Sequence, residues 1–284
     1  MIVCRTFQEL AFWVMDRMDH ALRRNLAFSE ETITETLLLK LDERLSHFGL
    51  RVKSWTKKEE GVGTKATGGR PTGADYDIWF RDIEGDGIGV RIQAKRMFPS
   101  GLYNSLDGNG QQIMDLRNNC GSMIPIYLFY NRNNGRFTPI PTCIASAEFR
   151  VWGCAFAPVD GIPAINSPSP IQIVGMRPWH ELVSNCDLGH GEQGPGRDFS
   201  LTQSVAGNLR RAYDSIAGAK YDSFSPRFDR FLDAPKLSFE PSRREPDWVK
   251  ALELSRDRPG LINDYLAGTD LEGVALIEQK RRLF

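Results

Sequence analysis

Two short stretches near the middle of the chain constrain its fold more than anything else in it. Asp75-Tyr-Asp-Ile-Trp-Phe80 and Ile88-Gly-Val-Arg-Ile-Gln-Ala-Lys95 change character at nearly every residue. A period of two belongs to a β-strand, whose side chains alternate between faces. Glu84-Gly-Asp-Gly87 lies between them and carries turn chemistry. The three pieces together predict an antiparallel hairpin. A hairpin alone is marginal in water, so the rest of the chain must supply more strands and covering helices.

Those elements are legible upstream and just downstream. Leu10, Phe12, Val14, Met15, Met18 and Leu22 recur at helical spacing within about Phe7–Leu26. A second helix opens at Ser29, a plausible N-cap, with Glu30 and Glu31 in a first turn that favours acids. Ile33, Leu37, Leu38, Leu41, Leu45 and Phe48 form its apolar stripe, and Gly49 suits its end. Arg51–Thr56 reads as a strand, Gly110–Cys120 as a helix, and Ile124–Tyr130 as a buried strand. The order predicts an α/β domain with a mixed sheet. Further on, Ile171–Met176 reads as a strand, Ser184–Arg197 as a loop and Leu201–Ala217 as a helix. Short helices are expected near Trp248–Ser255, Leu261–Ala267 and Leu271–Lys280. The expected division is a core over 1–137, an extension over 138–235 and a mostly helical C-terminal region over 236–284.

Composition excludes several classes. Thirty-six basic and thirty-six acidic residues give a net charge of zero, so binding to nucleic acid through bulk positive charge is excluded. A local basic groove is still open: Arg51 to Arg70 holds six basic and two acidic residues. Hydrophobic residues at 41% rule out a chain disordered throughout. No apolar stretch approaches the roughly 18–20 residues of a membrane span, so no membrane partner is expected. Cys4, Cys120, Cys143, Cys154 and Cys186 are odd in number and lack Cys-x-x-Cys spacing. With no signal-peptide pattern at the N-terminus, the expected compartment is the cytoplasm.

The alternation also places chemistry. Asp75 and Asp77 share one face of the first strand, and Arg91, Gln93 and Lys95 share one face of the second. If the strands pair, acid, amide and ammonium meet on one surface. Magnesium takes oxygen ligands and few protein carboxylates, so Asp75 or Asp77 with the Gln93 amide oxygen suits it. Lys95 beside them can position a water or stabilise developing charge. A helical acid would complete the set. Glu31 and Glu35 lie on one side of the second helix, and Glu31 is the better placed to point at the sheet.

Helical Glu, then Gly73-Ala74-Asp75, then Gln93-Ala94-Lys95 resembles the PD-(D/E)xK nuclease superfamily, in the Gln-x-Lys variant of Mrr-type restriction endonucleases. The run Glu31-Thr-Ile-Thr-Glu35, Gly73–Phe80 and Gln93–Arg96 also resembles a bacterial family without a known activity. The first resemblance covers about Ser29–Tyr130 and implies a restriction endonuclease-like core, a central mixed sheet flanked by helices. It implies a metal-dependent nuclease cutting DNA with Mg2+ or Mn2+, in bacterial defence against foreign DNA. Asp75 and Gln93 would bind the metal, with Asp77 and Glu31 as further ligand candidates. Lys95 would assist the water, and Glu31 or Glu35 would supply the helical acid. Gln111 or Gln112 matches a Gln that some related nucleases carry in the next helix. Lys57, Lys58, Lys65, Arg70 and Arg96 would contact nucleic acid, and a second copy or a partner protein of a defence system is a further expectation. The alternative is a nuclease-like module without catalysis that binds nucleic acid or protein.

Other constellations are weaker. His180, Cys186 and His190, with Cys154 upstream, follow no recognised zinc spacing. Gly61-Val-Gly-Thr-Lys lacks the spacing of a phosphate loop. Trp55, Tyr103 and Tyr127 are read as core rather than as base-stacking platforms.

Overall fold

A computed structural model describes residues 2–48, 50–56, 73–104, 106, 110–133, 147–163, 165–184, 200–219, 236–255, 257–269 and 271–280. The basic loop residues Lys57, Lys58, Lys65 and Arg70 therefore lie outside the described residues, as do Cys186 and His190. Helix α1 spans Ile2–Arg23 and α2 spans Glu30–Leu45. Strand β1 (Leu50–Thr56) follows, then the hairpin of β2 (Tyr76–Arg81) and β3 (Gly87–Arg96). Helix α3 (Gln111–Asn118) leads to β4 (Ile124–Tyr130), β5 (Cys154–Pro158) and the two-residue β6 (Arg177–Pro178). Three helices, α4 (Leu201–Ala219), α5 (Asp247–Glu253) and α6 (Pro259–Ala267), precede the last strand, β7 (Gly273–Gln279).

The described strands form one seven-stranded sheet in the order β1-β7-β2-β3-β4-β5-β6. It is mixed: β2–β3 is antiparallel, while β7–β2 and β3–β4 are parallel. The α/β class with helices flanking a mixed sheet is thus observed. Helices cover both faces. Ile78, Phe80, Ile88, Val90 and Ile92 pack with α1, α2 and α4. Trp79, Tyr127, Phe129, Val274 and Leu276 pack with α3, α5 and α6 on the other side. Among the described residues no helix is long and apolar enough to cross a membrane.

Local sequence explains the elements that hold the centre. The Thr32 backbone N–H donates to Ser29 Oγ at 3.3 Å, the cap expected for α2. Ile33, Leu37, Leu38, Leu41 and Leu45 are buried as one stripe. The hairpin turn closes on Asp82, whose carboxylate accepts from the N–H groups of Glu84 and Asp86.

Two expectations are corrected. Leu271–Lys280, read as a helix, contains strand β7, inserted between the edge strand β1 and β2. Ile171–Met176, read as a strand, has a 3-10 turn at Pro170–Gln172 and leaves Ile171 77% exposed. The sheet draws strands from all three expected stretches of the chain.

Candidate active site

The hairpin register pairs Tyr76 with Ile92 and Asp77 with Arg91. Asp75 lies one residue before β2, and its N–H donates to Ile92 O at 2.8 Å. Its side chain therefore falls across from Gln93. Asp75 Oδ2 accepts from Gln93 Nε2 at 2.6 Å and from the Ala94 N–H at 2.8 Å. Gln93 Oε1 in turn accepts from Gln112 Nε2 on α3 at 2.7 Å. Of the two glutamines expected in that helix, Gln112 reaches the site, and Gln111 bonds Asp115 instead. Among the described residues, Oδ1 of Asp75 has no hydrogen-bond partner.

The row of polar residues on this face is buried through Gln93 and opens at Lys95. The site is thus a mouth at the end of β3. Lys95 holds Asp75 by charge. Burial dominates all the same and pushes the Asp75 carboxyl up to about 7, against the pull of the Ala94 N–H, Lys95 and Gln93. Glu31 raises it further. Glu31 and Glu35 are both exposed at the start of α2. Glu31 acts on Asp75, and Glu35 acts on the Tyr76 hydroxyl.

Two contacts hold α2 in place there. Arg96 N donates to Glu30 Oε1, and its guanidinium lies 3.5 Å from Glu30 Oε2. Thr34 Oγ1 lies 2.5 Å from Tyr130 Oη. Arg96, expected at a phosphate, is thus engaged by an acid of the same chain.

Asp77 lies on the expected face but does not join the cluster. It is 0% exposed, and both its oxygens accept from Arg91, at 2.8 and 2.6 Å. A fork-to-fork pair of this kind occupies the carboxylate in the core, so the ligand role expected for Asp77 is withdrawn. The alternation gave its face and not its depth.

Glu272 is a neighbour that the sequence did not offer. It precedes β7, and its N–H donates to Asp75 O at 2.6 Å. Burial raises the Tyr76 hydroxyl well above its ordinary range, and Glu35, Asp75, Glu272 and Glu31 push it the same way. The Tyr76 hydroxyl is buried and has no hydrogen-bond partner. No short motif marks Glu272, which is about two hundred positions from Asp75. Tyr103 and Tyr127 are fully buried, as core residues should be. Trp55 lies in β1.

Among the described residues no three His, Cys, Asp or Glu side chains stand ready to hold a metal. The amide of Gln93 makes the difference. It presents nitrogen to Asp75, and turning it by half a revolution would present oxygen to the same carboxylate. Octahedral magnesium at about 2.1 Å places neighbouring oxygens about 3 Å apart. The 2.6 Å between Gln93 Nε2 and Asp75 Oδ2 is close to that spacing. Asp75 and Gln93 therefore fit such an ion once the amide turns.

No curated protein and no solved structure matches this chain. One family profile does, over residues 3–282, and it takes in every described element from α1 to β7. The chain belongs to that family, a family of unknown function (DUF6615).

Proposed function

We propose that this chain is a metal-dependent nuclease that hydrolyses phosphodiester bonds of DNA. One observation carries the reading: Asp75, Gln93 and Gln112 form a chain of hydrogen bonds that ends beside Lys95 at an open strand end. Asp75 and Gln93 would hold Mg2+ or Mn2+, and Gln112, with its own amide turned to accept from Gln93 Nε2, would orient the Gln93 amide. When bound, such an ion polarises a phosphate and makes a water acidic enough to attack it. Lys95 lies where it can position that water or stabilise charge on the phosphate. Glu31 brings a second carboxylate to the same mouth, fixed there by the Glu30–Arg96 contact. A setting in bacterial defence rests on the resemblance alone, as does action with a second copy or a partner protein.

A second reading has its own support. The Gln93 amide is already satisfied on both sides, and no described set of three acids stands ready. A nuclease-like binding module without catalysis would show both features.

The test is cleavage of plasmid, linear and single-stranded DNA, and of RNA, with magnesium or manganese. Metal-dependent cutting by the wild type, lost in Asp75→Ala and in Lys95→Ala, is the expected result. No cutting by the wild type, or equal cutting in all three, would remove the nuclease reading. Asp77→Ala serves as the structural control. It leaves Arg91 buried without its carboxylate and should cost about 3–5 kcal/mol of stability.

A further inference from the structure

Two arginines stand together where β3 and β4 end. The strands are parallel, and Arg96 pairs in register with Tyr130. Arg132 follows Tyr130 by two residues. The backbone between them is fixed: Asn131 N–H donates to Gly153 O at 2.9 Å, and Asn131 Nδ2 donates to Trp152 O at 2.7 Å. Tyr103 Oη donates to Asn131 Oδ1. Arg132 is therefore held inward and is only 5% exposed.

This guanidinium lacks the partner that burial demands. Its Nε and Nη1 are both buried with no hydrogen-bond acceptor. Among the described residues no carboxylate forms an ion pair with it. Asp19 on α1 acts on it by charge without forming an ion pair, and it also accepts from the Asn133 N–H. Glu30 is engaged by Arg96. The other charge acting on Arg132 is Arg96 itself, a like charge. The Arg96 Nε makes no hydrogen bond and faces Glu30 Oε2 at 3.5 Å, a contact that an anion held by Arg132 would compete with. Buried arginines are ordinarily paired, and an arginine fork matches the oxygens of a phosphate. Residues 134–146, which follow, contain Arg136 and neither Asp nor Glu.

We propose that Arg132, together with Arg96, binds a phosphate-type oxyanion at the ends of β3 and β4, one residue beyond Lys95. The orphaned donors of Arg132 grip the anion and Arg96 closes it from β3. As a subsite for a phosphate next to the scissile link it rests on the nuclease reading. As an anion site it does not, because binding is measured without cleavage.

The test is thermal unfolding of the full chain in inorganic phosphate and in chloride at equal ionic strength. The wild-type midpoint should rise with phosphate. In Arg132→Met that rise should vanish, while the midpoint in chloride should equal or exceed that of the wild type, because a buried unpaired charge is gone. No phosphate-specific rise in the wild type, or an equal rise in Arg132→Met, overturns the proposal. If Arg132→Met does not fold, Arg132→Lys keeps the charge and loses the fork. Its apparent Kd for phosphate should weaken about tenfold, and an unchanged Kd overturns the site.

A second arm separates the sources of the anion. A labelled DNA strand without a terminal phosphate is titrated in EDTA, where cutting is suppressed. A loss of affinity of about tenfold in Arg132→Met identifies a backbone phosphodiester as the occupant. Unchanged affinity, with the phosphate effect intact, identifies a free phosphate or phosphate monoester. Absence of cleavage would refute the nuclease reading and leave both measurements standing.

Discussion

Asp75 sits at the balance point of the site. Its carboxyl is packed closely enough that burial outweighs two N–H donors and a lysine, and it titrates near 7 instead of 3.8. Folding therefore favours the protonated form. The stability this gives is fully present below about pH 4 and is lost as pH rises through about 7. Asp75→Asn keeps an oxygen acceptor and never ionises. Without divalent ions, the variant should gain on the wild type between pH 4 and pH 7, by up to about 4 kcal/mol. Urea unfolding midpoints of both proteins at pH 5, 6, 7 and 8 measure this. A difference that does not change with pH would mean that Asp75 is not desolvated. A cation works in the opposite direction because it binds the ionised carboxylate. Magnesium should stabilise the wild type more at pH 8 than at pH 5, and should leave Asp75→Asn unchanged.

At the scale of elements, the site depends on how closely α3 approaches the start of β2. Gly73 makes that approach. Its φ is +69°, and a Cβ there would fall 2.5 Å from Gln112 O and 2.7 Å from Leu116 N, both backbone atoms of α3. The glycine two residues before Asp75 thus lets Gln112 reach Gln93. Gly73→Ala should force α3 outward, cost at least about 1–2 kcal/mol for the left-handed conformation alone, and break the Gln112–Gln93 bond. The check is the urea midpoint together with the magnesium-induced stabilisation, both of which should fall. A variant as stable as the wild type would show that α3 does not rest on this position. The same region shows what the sequence discloses. Asp75, Gln93 and Lys95 were placed on one face by a period of two, which is a local property of strands. The N-cap at Ser29 and the α2 stripe were legible for the same local reason. Alternation says nothing about which helix covers a face, so it places Asp77 and Gln93 on one surface without showing that both are buried. Glu272 and the Glu30–Arg96 contact arise from pairings across the sheet and the helix layer, and a linear pattern carries no sign of them.

At the scale of the whole molecule, the strand that was read as a helix holds the sheet together. Leu271–Lys280 contains Ala, Leu, Glu and Gln, all good helix formers, and its apolar run is too short for either period to prevail. Its position decides the matter. β7 lies between β1 and β2, and every residue from Gly273 to Glu278 is buried. A strand covered on both faces reads as continuous apolar sequence, without alternation. Glu278 at its end meets Arg81, which also pairs with Glu245 and Glu253, so β2 and α5 are tied to it. Its first residue, Gly273, and Glu272 just before it donate to Asp75 O and fix the backbone of the candidate site. Val274, Leu276 and Ile277 are buried almost completely, and such side chains contribute about 1.5–3 kcal/mol each. Their sum is comparable to the whole stability of an ordinary domain, about 5–15 kcal/mol. Removing them would also strip β1 of the strand it pairs with and expose the edge of β2. A chain ending at residue 270 should therefore fail to fold rather than fold without a tail. Circular dichroism and urea titration of that truncated chain would measure this, and a cooperative transition near the wild-type midpoint would show that β7 is dispensable. Supplying residues 271–284 as a separate peptide should restore part of the transition, because the slot between β1 and β2 is defined by backbone pairing on both sides.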